Sequence, residues 1–322
     1  MPAKFAISRP NLVLLILSIL ALAAIAAFMT LGAKGSWAFV LKFRGVKLAA
    51  LLLVAYSIAV STILFQTVTN NRILTPSVMG FDALYVLVQT SLFFFIGSAG
   101  VVMIDPQLKF IGETLLLICF AGILYRWLFI SAKRSLHLLI LVGIIFGILF
   151  RSLSGFMQRV LDPNEFVVLQ DTLFASFNSI DTTLLGISTV IVFAASLIGF
   201  RYIRAFDVLA LGRPTAICLG VNYNRIVTVI LFVVATLVAV STALVGPVMF
   251  FGLLVAALAH YLTGISRHAF ILPVAILLAV ICLVGGQVIL ERVFAFDTAL
   301  SIVIEFVGGI VFLVLVLKRG AK

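Results

Sequence analysis

The sequence predicts an all-α polytopic membrane protein of about ten transmembrane helices, and three observations point that way. Charged residues make up 10% of the 322 and apolar residues 64%, where a typical soluble domain carries about 25% charge. Mean hydropathy is +1.34. The apolar residues gather into runs of roughly the 20 residues that carry a helix across about 30 Å of hydrocarbon, a layer that tolerates no unpaired backbone amide.

In chain order the expected spans are Asn11 to Leu31, Val46 to Thr67, Ser77 to Gly97, Lys109 to Phe129 and Leu136 to Gln158, then Thr182 to Ile203, Ile226 to Val245, Val248 to Leu262, Ala269 to Ile289 and Ala299 to Leu317. The first follows Lys4 and Arg9 and contains the small triplet Ala21-Leu22-Ala23, features shared with cleaved signal peptides. Its apolar run, Leu12 to Met29, is longer than a signal core of about 7–15 residues, so a retained helix is expected. No linker or low-complexity segment interrupts the chain, which reads as one membrane domain over residues 1–322.

The net charge of +11 raises nucleic acid as a partner, but the basic residues sit at helix ends without forming a patch interleaved with aromatics. Topology accounts for them. With a cytoplasmic N-terminus, 14 of the 22 Lys and Arg fall on the cytoplasmic side, among them Arg126, Arg201, Arg204, Arg213, Arg225 and Arg267. The other side receives Asp105, Asp162, Glu165, Asp171, Asp181, Glu291 and Asp297. This positive-inside pattern places both termini in the cytoplasm.

An internal echo suggests an inverted repeat. Ala59-Val60-Ser61-Thr62-Ile63-Leu64 in the second span recurs as Ala239-Val240-Ser241-Thr242-Ala243-Leu244 in the seventh. Five spans apart, the two helices cross in opposite senses, as the halves of many transporters do. Small residues that simply pack helices closely give the competing explanation.

Between the sixth and seventh spans lies a short Gly-punctuated segment, residues 206–221. Asp207 is placed to N-cap a helix ending at Gly212, and Pro214 to open another ending at Gly220. Phe206, Leu209, Leu211 and Leu219 are apolar where a surface helix must cover them with another protein or with headgroups.

The pattern Val208-Leu209-Ala210-Leu211-Gly212, then Leu219-Gly220-Val221 and Arg225, resembles the coupling-helix signature of the bacterial iron-siderophore and cobalamin ABC importer permeases. Further matches follow in order: Phe43-Arg44-Gly45-Val46-Lys47, Gln66 with Asn70 and Pro76, Gly246-Pro247 with Phe251-Gly252-Leu253, Arg267-His268 with Leu272-Pro273, Glu291-Arg292, and Gly308-Gly309 with Phe312. The resemblance runs from about residue 40 to the end. Four positions depart from it: Val46 replaces a Pro, Ala256-Ala257 replace a Pro-His pair, and His260 stands at the following basic position. These departures resemble the subgroup serving catecholate or mixed siderophores such as vibriobactin, petrobactin and anguibactin, in which two different permease chains pair.

The resemblance implies ten helices per subunit, a paralogous permease partner forming a heterodimer, two cytoplasmic ATPases that carry the ATP and Mg, and a binding protein that delivers the ferric siderophore. No cofactor is expected on this chain. It implies ATPase coupling through Leu209, Ala210, Leu211, Gly212, Leu219 and Gly220, and binding-protein docking on Arg44, Lys47 and Arg292. The fifth and tenth helices line the path in the family. On the fifth, Arg151, Ser154 and Gln158 share one face by their spacing, and an Arg inside the membrane costs about 2.5–3.5 kcal/mol unless it faces protein or water. On the tenth, Ser301, Glu305 and Gly308 form a similar stripe, so Arg151 and Glu305 are expected as lining residues or as a pair.

Other readings compete. An ion-coupled secondary transporter would use the membrane acids Asp82, Glu113 and Glu305, although packing of Asp82 and Glu113 against Ser, Thr or Gln89 is the simpler expectation. A divalent-metal permease would want converging His and carboxylate ligands, but His137, His260 and His268 are scattered and no metal site is assigned. An intramembrane enzyme would show a zinc signature or a Gly-x-Ser-x-Gly motif, and a chain hydrolysing ATP a phosphate-gripping loop; none is present. Cys119, Cys218 and Cys282 are isolated and read as small core residues.

Overall fold

The computed structural model describes residues 9–32, 36–126, 136–178, 180–264, 267–293 and 300–320. Among them are thirteen α-helices and one 3-10 turn, Pro76–Met79. The helices are α1 (Arg9–Thr30), α2 (Trp37–Thr69), α3 (Phe81–Met103), α4 (Pro106–Tyr125), α5 (Leu136–Val160), α6 (Pro163–Leu173), α7 (Thr182–Phe200), α8 (Ile203–Leu209), α9 (Arg213–Cys218), α10 (Tyr223–Val245), α11 (Phe251–Thr263), α12 (His268–Arg292) and α13 (Leu300–Gly320). Among the described residues eight are long and apolar enough to cross a membrane, against about ten expected; shorter apolar helices, α11 and the part of α13 over Leu300–Val311, stand where the eighth and tenth spans were expected.

Several helices start on signals legible in the chain. Asp105, Asp162 and Asp181 each N-cap the helix that follows by accepting backbone amides, and Pro106 and Pro163 occupy first-turn positions where no amide is missed. These three acids belong to the acid-rich face expected from the charge count. Helix α6 was not expected. Its Glu165 accepts from the Ser98 amide at 2.6 Å and the Ser98 hydroxyl at 2.8 Å, beside the kink that Gly97 puts into α3.

Helices α2 and α10 form the centre and pack against each other. Helix α12 lies along α2 with α1 on its outer side, α4 and α7 flank α10, α3 packs on α5 and α6, and α11 and α13 close the remaining side. The two echoing segments lie in these packed helices. Ala59 and Ala239 are buried, and Ser61, Thr62, Ser241 and Thr242 line one small cavity between the two helices. Each helix is followed by a Pro-containing break, at Pro76 and at Pro247, before the next helix begins. Packing is tight where α11 meets α2, because a Cβ at Gly252 would run into the Thr62 hydroxyl.

Contacts between distant segments sort the helix ends onto two faces. The C-terminus of α2 meets the N-terminus of α12 through Thr67 and His268, while the N-terminal half of α2 meets the C-terminus of α12 through Lys47 and Glu291. The cysteines depart from the sequence expectation: Cys119 and Cys218 are exposed and Cys282 is intermediate. Cys119 lies on α4, where a small apolar residue faces hydrocarbon as readily as core, and Cys218 lies on the short elbow helix α9.

Candidate functional site

The segment joining α7 to α10 forms an elbow of two short helices. The chain turns at Tyr202, runs through α8, reverses at Gly212 (φ +93°), continues through α9 and turns again at Gly220 (φ +78°). Both glycines have the positive φ that other residues adopt only under strain. Asn222 then caps α10 by accepting the Arg225 amide.

Asp207 does not cap a helix, as its position in the chain suggested. It lies inside α8, and its Oδ1 accepts from the His268 backbone amide and pairs with His268 Nδ1, both at 2.7 Å. A first-turn amide of α12, which has no intrahelical partner, is thereby satisfied from another element. His268 is 1% exposed, its Nε2 meets the Thr67 hydroxyl at 2.8 Å, and its ring stands edge-on to Phe206. One imidazole ties the elbow to the start of α12 and the end of α2.

The elbow's apolar residues divide into two sets. Phe206, Leu209 and Ala216 are buried and seat it on the bundle, whereas Leu211 (61% exposed), Ile217 (54%) and Leu219 (60%) point away. Ala210 and Gly212 are half-buried and Gly220 is exposed.

A second polar cluster lies where helices break within the bundle. Asp82, in the first turn of α3, is buried, receives a hydrogen bond from Ser77, and lies in the electrostatic reach of Arg151 and Glu305. The helix N-terminus also favours its carboxylate. Arg151 and Glu305 form no direct ion pair. This corrects the expectation of a simple pair. Glu305 accepts from the Met249 amide in the break after α10, and Arg151 folds along α5 over Gly147. On α5, buried Ser154 bonds back to Phe150 O while Gln158 donates to Thr90 Oγ1 at 3.1 Å. Ser301 is buried. Glu113 accepts from Gln89 Nε2 at 2.8 Å and has Lys109 Nζ at 3.9 Å.

On the face opposite the elbow, Lys47 is 7% exposed and enclosed between Glu291 (2.5 Å) and Asn178 (2.7 Å), with Gln287 donating to the same Glu291 oxygen. The network borders a cavity of about 640 Å³ lined by Tyr85, Asp171, Ser176, Asn178, Gln287 and Leu300. Segment 174–178 is pinned beneath it by the Ser176 amide on Val245 O and by a close approach to Gly246. Arg44 donates to Phe28 O at 2.7 Å and Leu31 O at 2.9 Å, and Arg292 also reaches Leu31 O. Both guanidinium groups cap the carbonyl end of α1, where positive charge is favoured. Sequence spacing alone gave no signal for these partners, because they lie up to 261 positions apart.

Among the described residues, no three His, Cys, Asp or Glu converge as metal ligands. Apolar helices that end and restart around buried Asp82, a polar cavity on one face and an elbow with an outward apolar surface on the other have the character of a multi-pass transport permease. Residues 11–318 match the FecCD transport family, and the chain belongs to that family. It is a transport subunit and not an enzyme. It is 48% identical to the petrobactin import system permease protein YclO of Bacillus subtilis, over 89% of this chain and 91% of that protein. Identity to the petrobactin import system permease protein FatC of Bacillus anthracis is 36%, covering 88% and 80% respectively. The ferric enterobactin transport system permease protein FepD of Escherichia coli is 25% identical over 83% of this chain and 78% of its own length. A solved chain described as an inward-facing metal-chelate type ABC transporter superposes with a TM-score of 0.83, covering 96% of this chain and 99% of that one; at 21% identity it shows the fold alone.

Proposed function

We propose that this chain is the membrane subunit of an ABC importer that passes a ferric siderophore of the catecholate or mixed type, petrobactin-like in chemistry, from a binding protein into the cytoplasm. The observation that carries this reading is the elbow. It buries Phe206 and Leu209, presents Leu211, Ile217 and Leu219, and is tied to α2 and α12 through Asp207 and His268. An exposed apolar surface of this kind calls for a protein partner, and a cytoplasmic ATPase subunit is the partner that drives import. ATP and Mg then belong to that subunit.

In this reading the elbow face is cytoplasmic, with both termini on that side, and residues 1–322 act as one membrane domain. The binding protein docks on the opposite face near Arg44 and Arg292, where charge pairs set register and encounter rate; Lys47 supports that corner from within through Glu291. Arg151, Ser154, Gln158, Ser301 and Glu305 line the path. The relatives named for petrobactin import include both FatC and FatD of Bacillus anthracis, in keeping with a paired, heterodimeric assembly.

Co-purification followed by uptake tests the proposal. The permease is expected to bring down an ATPase and a second permease, and the reconstituted complex to import a ferric catecholate only with ATP and binding protein present. Uptake driven by a proton or sodium gradient without an ATPase would overturn it.

A further inference from the structure

A groove of about 190 Å³ opens between α2, α7, α10 and α12 and ends against the elbow helix α8. On α12 its lining runs from His268 to Ile276, and on α2 from Tyr56 to Leu64. Each is eight residue steps, about 12 Å of helix, close to half of the roughly 30 Å hydrocarbon thickness. The groove is therefore about as deep as one leaflet. Its deep end is closed where Tyr56 Oη donates to Ser196 Oγ at 2.7 Å, and its shallow end meets Phe206 and His268.

The walls offer nothing polar to a hydrophilic guest: Tyr56 and Ser196 bond each other and His268 is held by Asp207 and Thr67. At the shallow end the charge is one-signed. Arg201 follows the lining residue Phe200, Arg204 follows Ile203, and Arg267 precedes His268, all three exposed. Asp207 is the sole acid between residues 182 and 290, and its carboxylate already accepts from His268. An apolar slot one leaflet deep beneath an arginine-rich rim matches a phospholipid with an anionic headgroup, since basic pockets at the cytoplasmic ends of spanning helices hold such headgroups.

We propose that this groove is a lipid site: it takes an acyl chain of an anionic phospholipid from the leaflet on the elbow side, with the headgroup phosphate held by Arg201, Arg204 and Arg267. Ile203 and Phe206 of α8 form part of the wall. A bound chain therefore braces the elbow's seat from the lipid side, a consequence that rests on the coupling role given above; the binding itself does not.

Native mass spectrometry of the detergent-purified full chain tests the site, with phosphatidylglycerol and phosphatidylcholine titrated separately. Wild type is expected to retain phosphatidylglycerol selectively. Exchanging all three arginines for glutamine is expected to weaken retention about a hundredfold, from about fivefold for each arginine near the surface. Gly199→Leu supplies an independent variant: a Cβ there lies 3.8 Å from Val233, an ordinary contact, so the added side chain occupies the groove and is expected to abolish retention. Equal retention of the two lipids by wild type, or wild-type retention of phosphatidylglycerol by either variant, overturns the proposal. Retention is read without ATP, partner or transport, so a failure here is separate from a failure of the importer reading.

Discussion

Replacing Asp207 with alanine removes two hydrogen bonds at once, one from the His268 amide and one from its ring, both at 2.7 Å. Hydrogen bonds to a charged group contribute about 1.5–3 kcal/mol each, and the low end applies because the carboxylate is 33% exposed, giving about 3 kcal/mol for the two. Every 1.4 kcal/mol is about tenfold in a population, so the detached elbow gains about a hundredfold. Amide exchange reads this directly: protection of His268 and the first turn of α12 is expected to fall by about that factor in Asp207→Ala, with distant α10 unchanged. Asp207→Asn keeps an acceptor oxygen for the His268 amide, and a loss of about tenfold is expected. In the assembled transporter, Asp207→Ala is expected to lower chelate imported per ATP hydrolysed. Unchanged protection at His268 would refute the claim that this pair fastens the elbow to α12.

The buried Lys47–Glu291 pair yields a stability prediction: Lys47→Met leaves an uncompensated buried carboxylate and is expected to cost about 3–5 kcal/mol, and Lys47→Met with Glu291→Leu to recover most of it in thermal unfolding. Reversing Arg44 and Arg292 to Glu removes the cations at the end of α1 and is expected to slow uptake at low binding-protein concentration while the assembly still co-purifies. Gly252→Ala is expected to destabilise by about 1–3 kcal/mol through overpacking against Thr62, and Thr62→Ala to relieve it, as measured by unfolding in detergent.

The spanning helices were legible because lipid imposes a length and forbids unpaired amides, so composition alone marks them. The echo around Ser61-Thr62 and Ser241-Thr242 was equally readable, and the structure brings both pairs to one cavity. Helix α6 has eleven residues of mixed polarity, too few for any membrane ruler, and only Asp162-Pro163 marks its start in the chain. Asp207 fits an N-cap by local rules, but a tertiary partner 61 positions away claims its carboxylate. Lys47 shows the same limit: a basic residue near a span end reads as surface charge until Glu291 folds back on it. Side chains whose partners lie far along the chain carry no local signal of that partnership.

Site-directed crosslinking from the elbow is the most direct measurement. With the native cysteines replaced, including exposed Cys218, single cysteines at Leu211 and Leu219 are expected to capture the ATPase subunit, while one at Phe193, exposed midway along α7, is not. Labelling of Leu211→Cys and Leu219→Cys by a membrane-impermeant thiol reagent applied outside intact cells, with no ATPase captured, would contradict the coupling role.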